Sequence, residues 1–274
     1  MGPIISSSQV HDCIRLEVGR IAEDAGEQSG AAGCARDDAP QTRRVSESGG
    51  DGETKGDNLS TTRLRDGLPP LPQRIRKLPI DGRGFVVPWF VAWIDGKADF
   101  RIIRKGGIAA AHHDKTCWLC GDRLGVYLTF VIGPTDAINR AAMEPPSHLA
   151  CAEFAAKACP FLTAPMAKHN EHNMPEGTQD PAAIGLKRNP GVTCLWTTKS
   201  YSLMYLANGV LFRFGEPESV SWWCRGRAAT RAEVDESIAS WMPLLVKAAE
   251  DEGVEAVATL AKNIERAQPL LPTA

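Results

Sequence analysis

Two short-spaced pairs of potential metal ligands constrain this fold more than any other feature of the chain. The segment 117-CWLCGDRLG-125 supplies Cys117 and Cys120, and 148-HLACAEFAAKA-158 supplies His148 and Cys151. Structural zinc sites take four tetrahedral ligands, usually thiolates and imidazoles, in pairs of this kind. Gly121 permits the positive φ of a tight turn after the second cysteine. We therefore predict a Cys3His site for Zn²⁺ at these four residues.

The residues around the pairs predict a treble-clef-like zinc finger over residues 115–162. The apolar strand 126-VYLTFVIGP-134 follows the first pair, and Ser147 is a suitable N-cap for a helix that carries the second pair in its first turn. Knuckle, strand and helix in this order are typical of a treble clef. A set of reduced core cysteines with a capping histidine is the alternative. Cys159 lies about 12 Å further along that helix, so we do not expect it to be a ligand.

A metal with four protein ligands has no open position for a reactive water, so the site is predicted to be structural and the protein is not expected to be an enzyme. A nuclease of the His-Asn-His type needs a histidine between the ligand pairs. No histidine lies between Cys120 and His148, and 112-HHD-114 precedes the first pair. His169 and His172 could bind a second ion, although such a pair in a polar loop is usually solvated.

Composition separates the chain into two parts. Residues 1–67 are predicted to be disordered, because 26–62 contains scarcely an apolar side chain, with one short amphipathic helix near Val10–Ile21. Residues 68–274 are predicted to form one zinc-stabilised domain. Its entry segment, 68-LPPLPQRIRKLP-79, is expected to be extended across the surface. With eight cysteines in 274 residues the chain is no disulfide scaffold, and Cys194 and Cys224 are expected to be buried.

The pattern of strands and helices predicts an α+β fold with helices on an antiparallel sheet. Asp95-Gly96 indicates a hairpin between 85–94 and 99–103, followed by a short helix or turn at 106–115. After a loop at 163–190, the predicted strands 192–201, 210–214 and 219–225 form an antiparallel meander. Two helices are then predicted. The first begins at a capping box of Thr230 and Glu233 and is expected to kink or break at Pro243. The second carries an apolar face of Val254, Val257, Leu260 and Ile264 and ends at Pro269.

Several blocks resemble a group of uncharacterised bacterial and bacteriophage zinc-containing proteins. They are 117-CWLCGDRLG-125, 130-FVIGP-134, 144-EPPSHLACAEFAAKACPFL-162, 189-NPGV-192 and 224-CRGRAATRAEVDESI-238. The resemblance covers the chain from Leu68 to its end. It implies a prokaryotic or phage cytosolic protein whose metal ligands are the four residues named above, and it carries no assigned reaction.

The functional prediction is a binding module for a protein partner. Its alternative is a nucleic-acid-binding or nucleic-acid-processing protein built on a degenerate His-Asn-His-like finger. Basic and aromatic residues near the finger could form a phosphate-contacting surface: Arg101, Arg104, Lys105, Arg123, Arg140, Lys187 and Arg188, with Trp118 and Tyr127. A net charge of −2 argues against a general polyanion binder. We expect no membrane span, no secretory signal and a cytoplasmic location, and no small-molecule substrate is identifiable.

Overall fold

The computed structural model describes residues 63–165, 167–168, 189–206 and 209–273. The helix predicted near residues 10–21, residues 1–62 of the segment predicted to be disordered, and most of the loop predicted at 163–190 lie outside the described residues. Residues 63–67 of that segment are described, and the N–H of Arg65 donates to the carbonyl of Gly84 at 3.1 Å. The strands are β1 Val91–Ile94, β2 Lys97–Ile103, β3 Leu128–Ile132, β4 Ala141–Ala142, β5 Thr193–Thr198, β6 Tyr201–Leu206, β7 Gly209–Phe214, β8 Pro217–Cys224 and β9 Arg227–Ala228. The helices are α1 Gly107–His113, α2 Pro134–Asn139, α3 Leu149–Ala158, α4 Pro160–Thr163, α5 Arg231–Glu252 and α6 Val254–Ala267. Helices and antiparallel sheets are thus combined, as predicted.

The predicted hairpin is present as β1 and β2, joined by a tight turn. Asp95 and Gly96 have φ of 48° and 74°, the two positive values that this turn type requires. β1 is shorter than predicted because the chain before it has other partners. Val86 bridges to Ile80, and the N–H of Val91 donates to the carbonyl of Pro88 across a turn. The helix predicted after the hairpin is α1.

The predicted meander is wrong, because the strands fall into separate sheets. The order β3-β5-β8-β9 forms one sheet, and β4-β7-β6 forms another. All six residues of β5 are buried, and a strand covered on both faces needs a neighbour on each edge, which β3 and β8 supply. β5 ends at Thr198, and Tyr201 starts a strand of the second sheet instead of continuing β5.

The main hydrophobic core lies between these sheets and α5. Phe130 of β3, Trp196 of β5 and Phe212 of β7 have no exposed surface. The Trp196 indole N–H donates to the carbonyl of Gly215 at 3.2 Å, so that its one polar group is satisfied. Cys194 is fully buried and Cys224 is 4% exposed, as predicted for small hydrophobic residues.

The two C-terminal helices form a hairpin against α2. The capping box is present: the N–H of Glu233 donates to the Thr230 hydroxyl, and the N–H of Thr230 donates to the Glu233 carboxylate. α5 continues through Pro243, so it is not split into two helices. The predicted apolar face of α6 is wrong at its first turn. Val254 is 87% exposed, because it directly follows the Gly253 turn at the tip of the hairpin, while Leu260 is buried.

Two local elements differ from the predictions before and after β3. The entry segment 68–79 is not simply extended. It makes a hydrogen-bonded turn over Pro72–Leu78 that buries Ile75 to 3% exposure, because an apolar cluster beneath the turn receives this side chain. The strand predicted over 126–134 is shorter, because Gly133 is the N-cap of α2 and its N–H donates to the Asp136 carboxylate at 3.1 Å. Across the part of the chain that the structure describes, every helix is too short or too polar to cross a lipid bilayer.

Candidate metal centre

A knuckle between α1 and β3 presents the first ligand pair. The N–H of Cys117 donates to the carbonyl of Asp122 at 2.7 Å, and the N–H of Gly121 donates to the carbonyl of Cys117 at 2.9 Å. Gly121 has φ of 76°, and a Cβ at this position would lie 2.5 Å from the Trp89 ring. Glycine is therefore needed twice, for the backbone conformation and for the close approach of Trp89.

The second pair is brought to the knuckle by backbone hydrogen bonds. Thr129 of β3 and Ser147 exchange N–H···O bonds of 2.9 and 2.7 Å, and the N–H of Trp118 donates to the carbonyl of Pro146 at 3.1 Å. The residue at the N-cap of α3 is His148, with φ and ψ of −68° and 146°, rather than Ser147 as predicted. Ser147 is instead held in the bridge to β3, so the helix begins one residue later. His148 therefore lies just before the first turn of α3, and Cys151 lies within it.

The four predicted ligands converge on one point. Their ligand atoms all lie within 4.8 Å of one another, so Cys117, Cys120, His148 and Cys151 form a group that could hold a metal ion. His148 Nδ1 is 3.4 Å from the sulfur of Cys120 and 4.0 Å from that of Cys151. Cys117 and Cys151 have no exposed surface and Cys120 is 2% exposed, while His148 is half-buried.

The His148 ring is oriented by its second nitrogen. Nε2 lies 3.0 Å from the carbonyl oxygen of Arg123, an acceptor only, so the ring proton sits on Nε2. Nδ1 consequently carries the lone pair and faces the sulfurs. Metal-ligating histidines characteristically donate their other ring N–H to such an outer partner, which fixes the tautomer and the ring plane.

Backbone N–H groups point at the sulfur atoms. Cys117 Sγ lies 3.5 Å from the N–H nitrogen of Cys120 and 3.4 Å from that of His148, and Cys120 Sγ lies 3.5 Å from that of Asp122. These donors stabilise thiolates rather than thiols, because a negative sulfur is the better acceptor. The site is thus arranged for anionic sulfur before any cation is considered.

The three thiols cannot all ionise by themselves. The hydrogen bond from Cys120 is the main cause that lowers the pKa of Cys117 well below its ordinary value. The same contact raises the pKa of Cys120 to about 11, and the sulfurs of Cys117 and Cys120 raise the pKa of Cys151 further still. A divalent cation bound among them would offset this repulsion and favour all three cysteines as thiolates.

An apolar cluster surrounds the ligands and includes the entry segment. Three of the four ligands pack with these buried residues: Ile75, Leu124 and Leu128. Asp122, directly after the knuckle glycine, forms ion pairs with Arg74, at 3.2 Å, and with Lys77. These cations lower the pKa of the Asp122 carboxyl, with the hydrogen bond from Lys77 as the main cause. Sequence reasoning missed this layer, because 45 or more residues separate the partners and no local pattern marks them.

An open cleft of about 580 Å³ lies between the entry segment and the ligands. Arg74 and Lys77 line it from one side, and Asp122, His148 and Cys151 from the other. The group of four ligands therefore lies beside an open cleft on the side of the entry segment. Its three cysteines are nevertheless almost fully buried.

Other residues singled out in the sequence lie apart from this group. Cys159 is the C-cap of α3 and does not belong to it. His112 Nδ1 lies 3.0 Å from the Tyr201 hydroxyl, and His113 Nδ1 lies 2.8 Å from Asp114. His169 and His172 lie outside the described residues.

The predicted phosphate-contacting surface is divided by the fold. Trp118 is 5% exposed and stacks on Phe90, and Arg140 is 8% exposed and pairs with Glu216, so neither can contact a nucleic acid. Arg101 is ion-paired with Asp99. Arg104, Lys105 and Arg123 are at or near the surface, Tyr127 is 53% exposed, and Lys187 and Arg188 lie outside the described residues. Side-chain exposure could not be read from the spacing, because long-range packing decides it.

No protein-family description, curated protein or solved structure matches the chain.

Proposed function

We propose that Cys117, Cys120, His148 and Cys151 hold one structural Zn²⁺ ion, and that the protein is a non-catalytic interaction module. The observation that carries the metal proposal is the convergence of four ligand atoms within 4.8 Å. Three thiolates and an imidazole suit zinc, whereas magnesium and calcium prefer oxygen ligands. We further propose that the chain belongs with the bacterial and phage zinc-containing proteins that its finger blocks resemble, and that its origin is prokaryotic or phage.

The ion is proposed to stabilise a treble-clef-like arrangement. The knuckle at residues 116–123, the strand β3 and the helix α3 follow in the order of that motif, and the ion would join the first to the last. Four protein ligands complete a tetrahedron, so no position remains for a substrate or a reactive water. The proposed role of the metal is thus to hold the knuckle against α3.

A protein partner is favoured over a nucleic acid by the surface of the finger. Val126, Tyr127 and Leu149 are 66%, 53% and 41% exposed. The bridge between Thr129 and Ser147 brings the segments that carry Tyr127 and Leu149 together. Exposed aromatic and aliphatic side chains near one another are typical of protein-binding surfaces.

Metal analysis of the purified full-length protein tests the first part of the proposal. We expect about one zinc per chain by inductively coupled plasma mass spectrometry, retained through dialysis, and a loss of thermal stability in a strong chelator. A protein without stoichiometric metal, and with the same melting temperature in chelator, would contradict it.

Affinity capture with full-length protein tests the second part. Bacterial cell extracts are passed over the immobilised protein with and without nuclease treatment. The Tyr127→Ser, Leu149→Ser double variant is compared with the wild-type protein. Partners that survive nuclease and are lost on the double variant support a protein-binding role. Partners that disappear with nuclease, together with salt-dependent binding of labelled DNA or RNA, would instead favour the nucleic-acid alternative.

A further inference from the structure

The entry segment 68–79, here called the strap, is in contact with the metal centre from outside. Ile75 is 3% exposed and packs in one cluster with Cys117, Cys120 and Cys151. Leu71 and Leu78 pack against the same cluster. The apolar side of the strap therefore packs on the cluster that contains three of the four ligands, rather than on the main core between the sheets.

The polar side of the strap supplies two positive charges beside the site. Arg74 and Lys77 are each about half exposed, at 53% and 51%, and both pair with Asp122. Asp122 is tied to the ligands through its backbone: its N–H donates to Cys120 Sγ, and its carbonyl accepts the N–H of Cys117. The ion pairs thus connect the strap to the knuckle within two residues of a ligand.

The positive charges of Arg74 and Lys77 match the negative charge expected of the metal-loaded site and Asp122. A divalent cation with three thiolates and a neutral imidazole carries one net negative charge, and the Asp122 carboxylate adds another. Arg74 and Lys77 neutralise both. If a metal holds the knuckle against α3, its loss would also weaken the support beneath Ile75, because Cys117, Cys120 and Cys151 belong to the same cluster.

We propose that the strap is an outer part of the metal centre, with Arg74 and Lys77 as positioning residues for Asp122 and the knuckle, so that metal release and strap release are coupled. The strap slows the escape of the ion through the cleft, and the bound ion holds the strap in place. This inference depends on the proposed metal site.

Metal exchange and limited trypsin digestion of the full-length protein test the coupling together. Zinc transfer to a chromophoric chelator gives the release rate. The Arg74→Gln, Lys77→Gln variant should release metal roughly two- to thirtyfold faster, the range expected from losing two half-exposed ion pairs. Arg231→Gln removes a comparable ion pair, with Asp235 on α5, and should release metal at the wild-type rate.

Trypsin cleavage measures the opening of the strap directly and does not depend on a measured rate of metal release. Trypsin can cut after Arg76, and Lys262 is an exposed reference site on α6, a helix whose Leu260 packs in a different hydrophobic cluster from the strap. In the metal-loaded protein we expect slow cleavage after Arg76, and in chelator a rise of at least about tenfold relative to Lys262, because cleavage follows local opening.

Three outcomes would contradict the proposed coupling between metal release and strap release. Equal release rates for the wild type and the double variant would overturn it. So would cleavage after Arg76 that is as fast with metal as without, or chelation that opens Lys262 to the same extent. A protein that binds no metal fails the proposed function instead, before either comparison is made. Ile75→Ala provides a second variant, which should speed both metal release and cleavage.

Discussion

The carbonyl oxygen of Arg123 lies 3.0 Å from Nε2 of His148, and this contact decides which nitrogen of the ring faces the cysteine sulfurs. Because the acceptor is a backbone carbonyl, no side-chain substitution at Arg123 removes it. We expect Arg123→Ala to retain one zinc per chain, whereas His148→Ala should lower zinc affinity by at least about tenfold, since it removes a ligand and not only its outer partner. Competition with a chelator of known affinity measures both, and equal affinities would contradict the assignment of Nδ1 as a ligand.

Replacing a ligand cysteine and a non-ligand cysteine in turn shows whether zinc binding depends on the predicted ligands or on any cysteine of this region. Cys151→Ser should bind less than about a tenth of an equivalent of zinc, with a melting temperature lower by on the order of 10 °C, because bound metal contributes several kcal/mol of folding free energy and each kcal/mol corresponds to about 2–4 °C in a domain of this size. Cys159→Ser is the control, since Cys159 lies outside the ligand group. Metal loss in Cys159→Ser as well would show that the ligand set is wrong.

Gly121 offers a test of the knuckle that leaves every ligand in place. Gly121→Ala adds a Cβ where φ is 76° and Trp89 is 2.5 Å away, so we expect a loss of roughly 2–4 kcal/mol in the free energy of unfolding. Gly125→Ala is the matched control, because a Cβ added there would meet no atom within 4 Å and the φ of Gly125 is not positive. Urea denaturation of the zinc-loaded proteins measures both, and similar midpoints would contradict the close approach of Trp89.

Asp136 should make stability fall as pH rises toward neutrality. Burial, aided by the charge of Glu144, raises the pKa of Asp136 to about 7, from an ordinary value of 3.8. The unfolded chain releases this proton near pH 4 and the folded protein releases it only near pH 7, so folding becomes less favourable across that window and stays so above it. Asp136→Asn keeps an acceptor for the N–H of Gly133, and we expect its stability relative to the wild type to increase from pH 5 to pH 8. A constant difference in urea midpoint across this range would contradict the raised pKa.

Glu233 acts in the opposite direction at acid pH. The hydrogen bond from Arg227, with that from the N–H of Thr230, lowers the pKa of Glu233 to about 2, from an ordinary value of 4.5. Its contribution is fully present above pH 4.5 and is lost as pH falls through 2. Glu233→Gln should therefore be less stable than the wild type at pH 6 and approach it near pH 2, and Glu236→Gln, an exposed change on the same helix, controls for the loss of one negative charge. Circular dichroism melts over this pH range are the measurement.

Local patterns carried the predictions that succeeded, because the forces behind them act over a few residues. The spacing of Cys117 and Cys120, the hairpin turn at Asp95-Gly96 and the capping box of Thr230 and Glu233 each depend on neighbouring backbone geometry alone. The strand order failed for the opposite reason. Which edges β5 shares with β3 and β8 is decided by burial of both its faces, and no pattern within β5 names its neighbours.

The sequence by itself determined which four side chains could meet, since ligand type and pair spacing are properties of short segments. Only the tertiary structure decided what surrounds them. The tautomer of His148, the ion pairs of Asp122 and the burial of Ile75 all depend on segments 25 to 76 positions apart. Contacts over such separations are selected by the whole packed core, because their closing entropy is offset only when many apolar side chains are buried together.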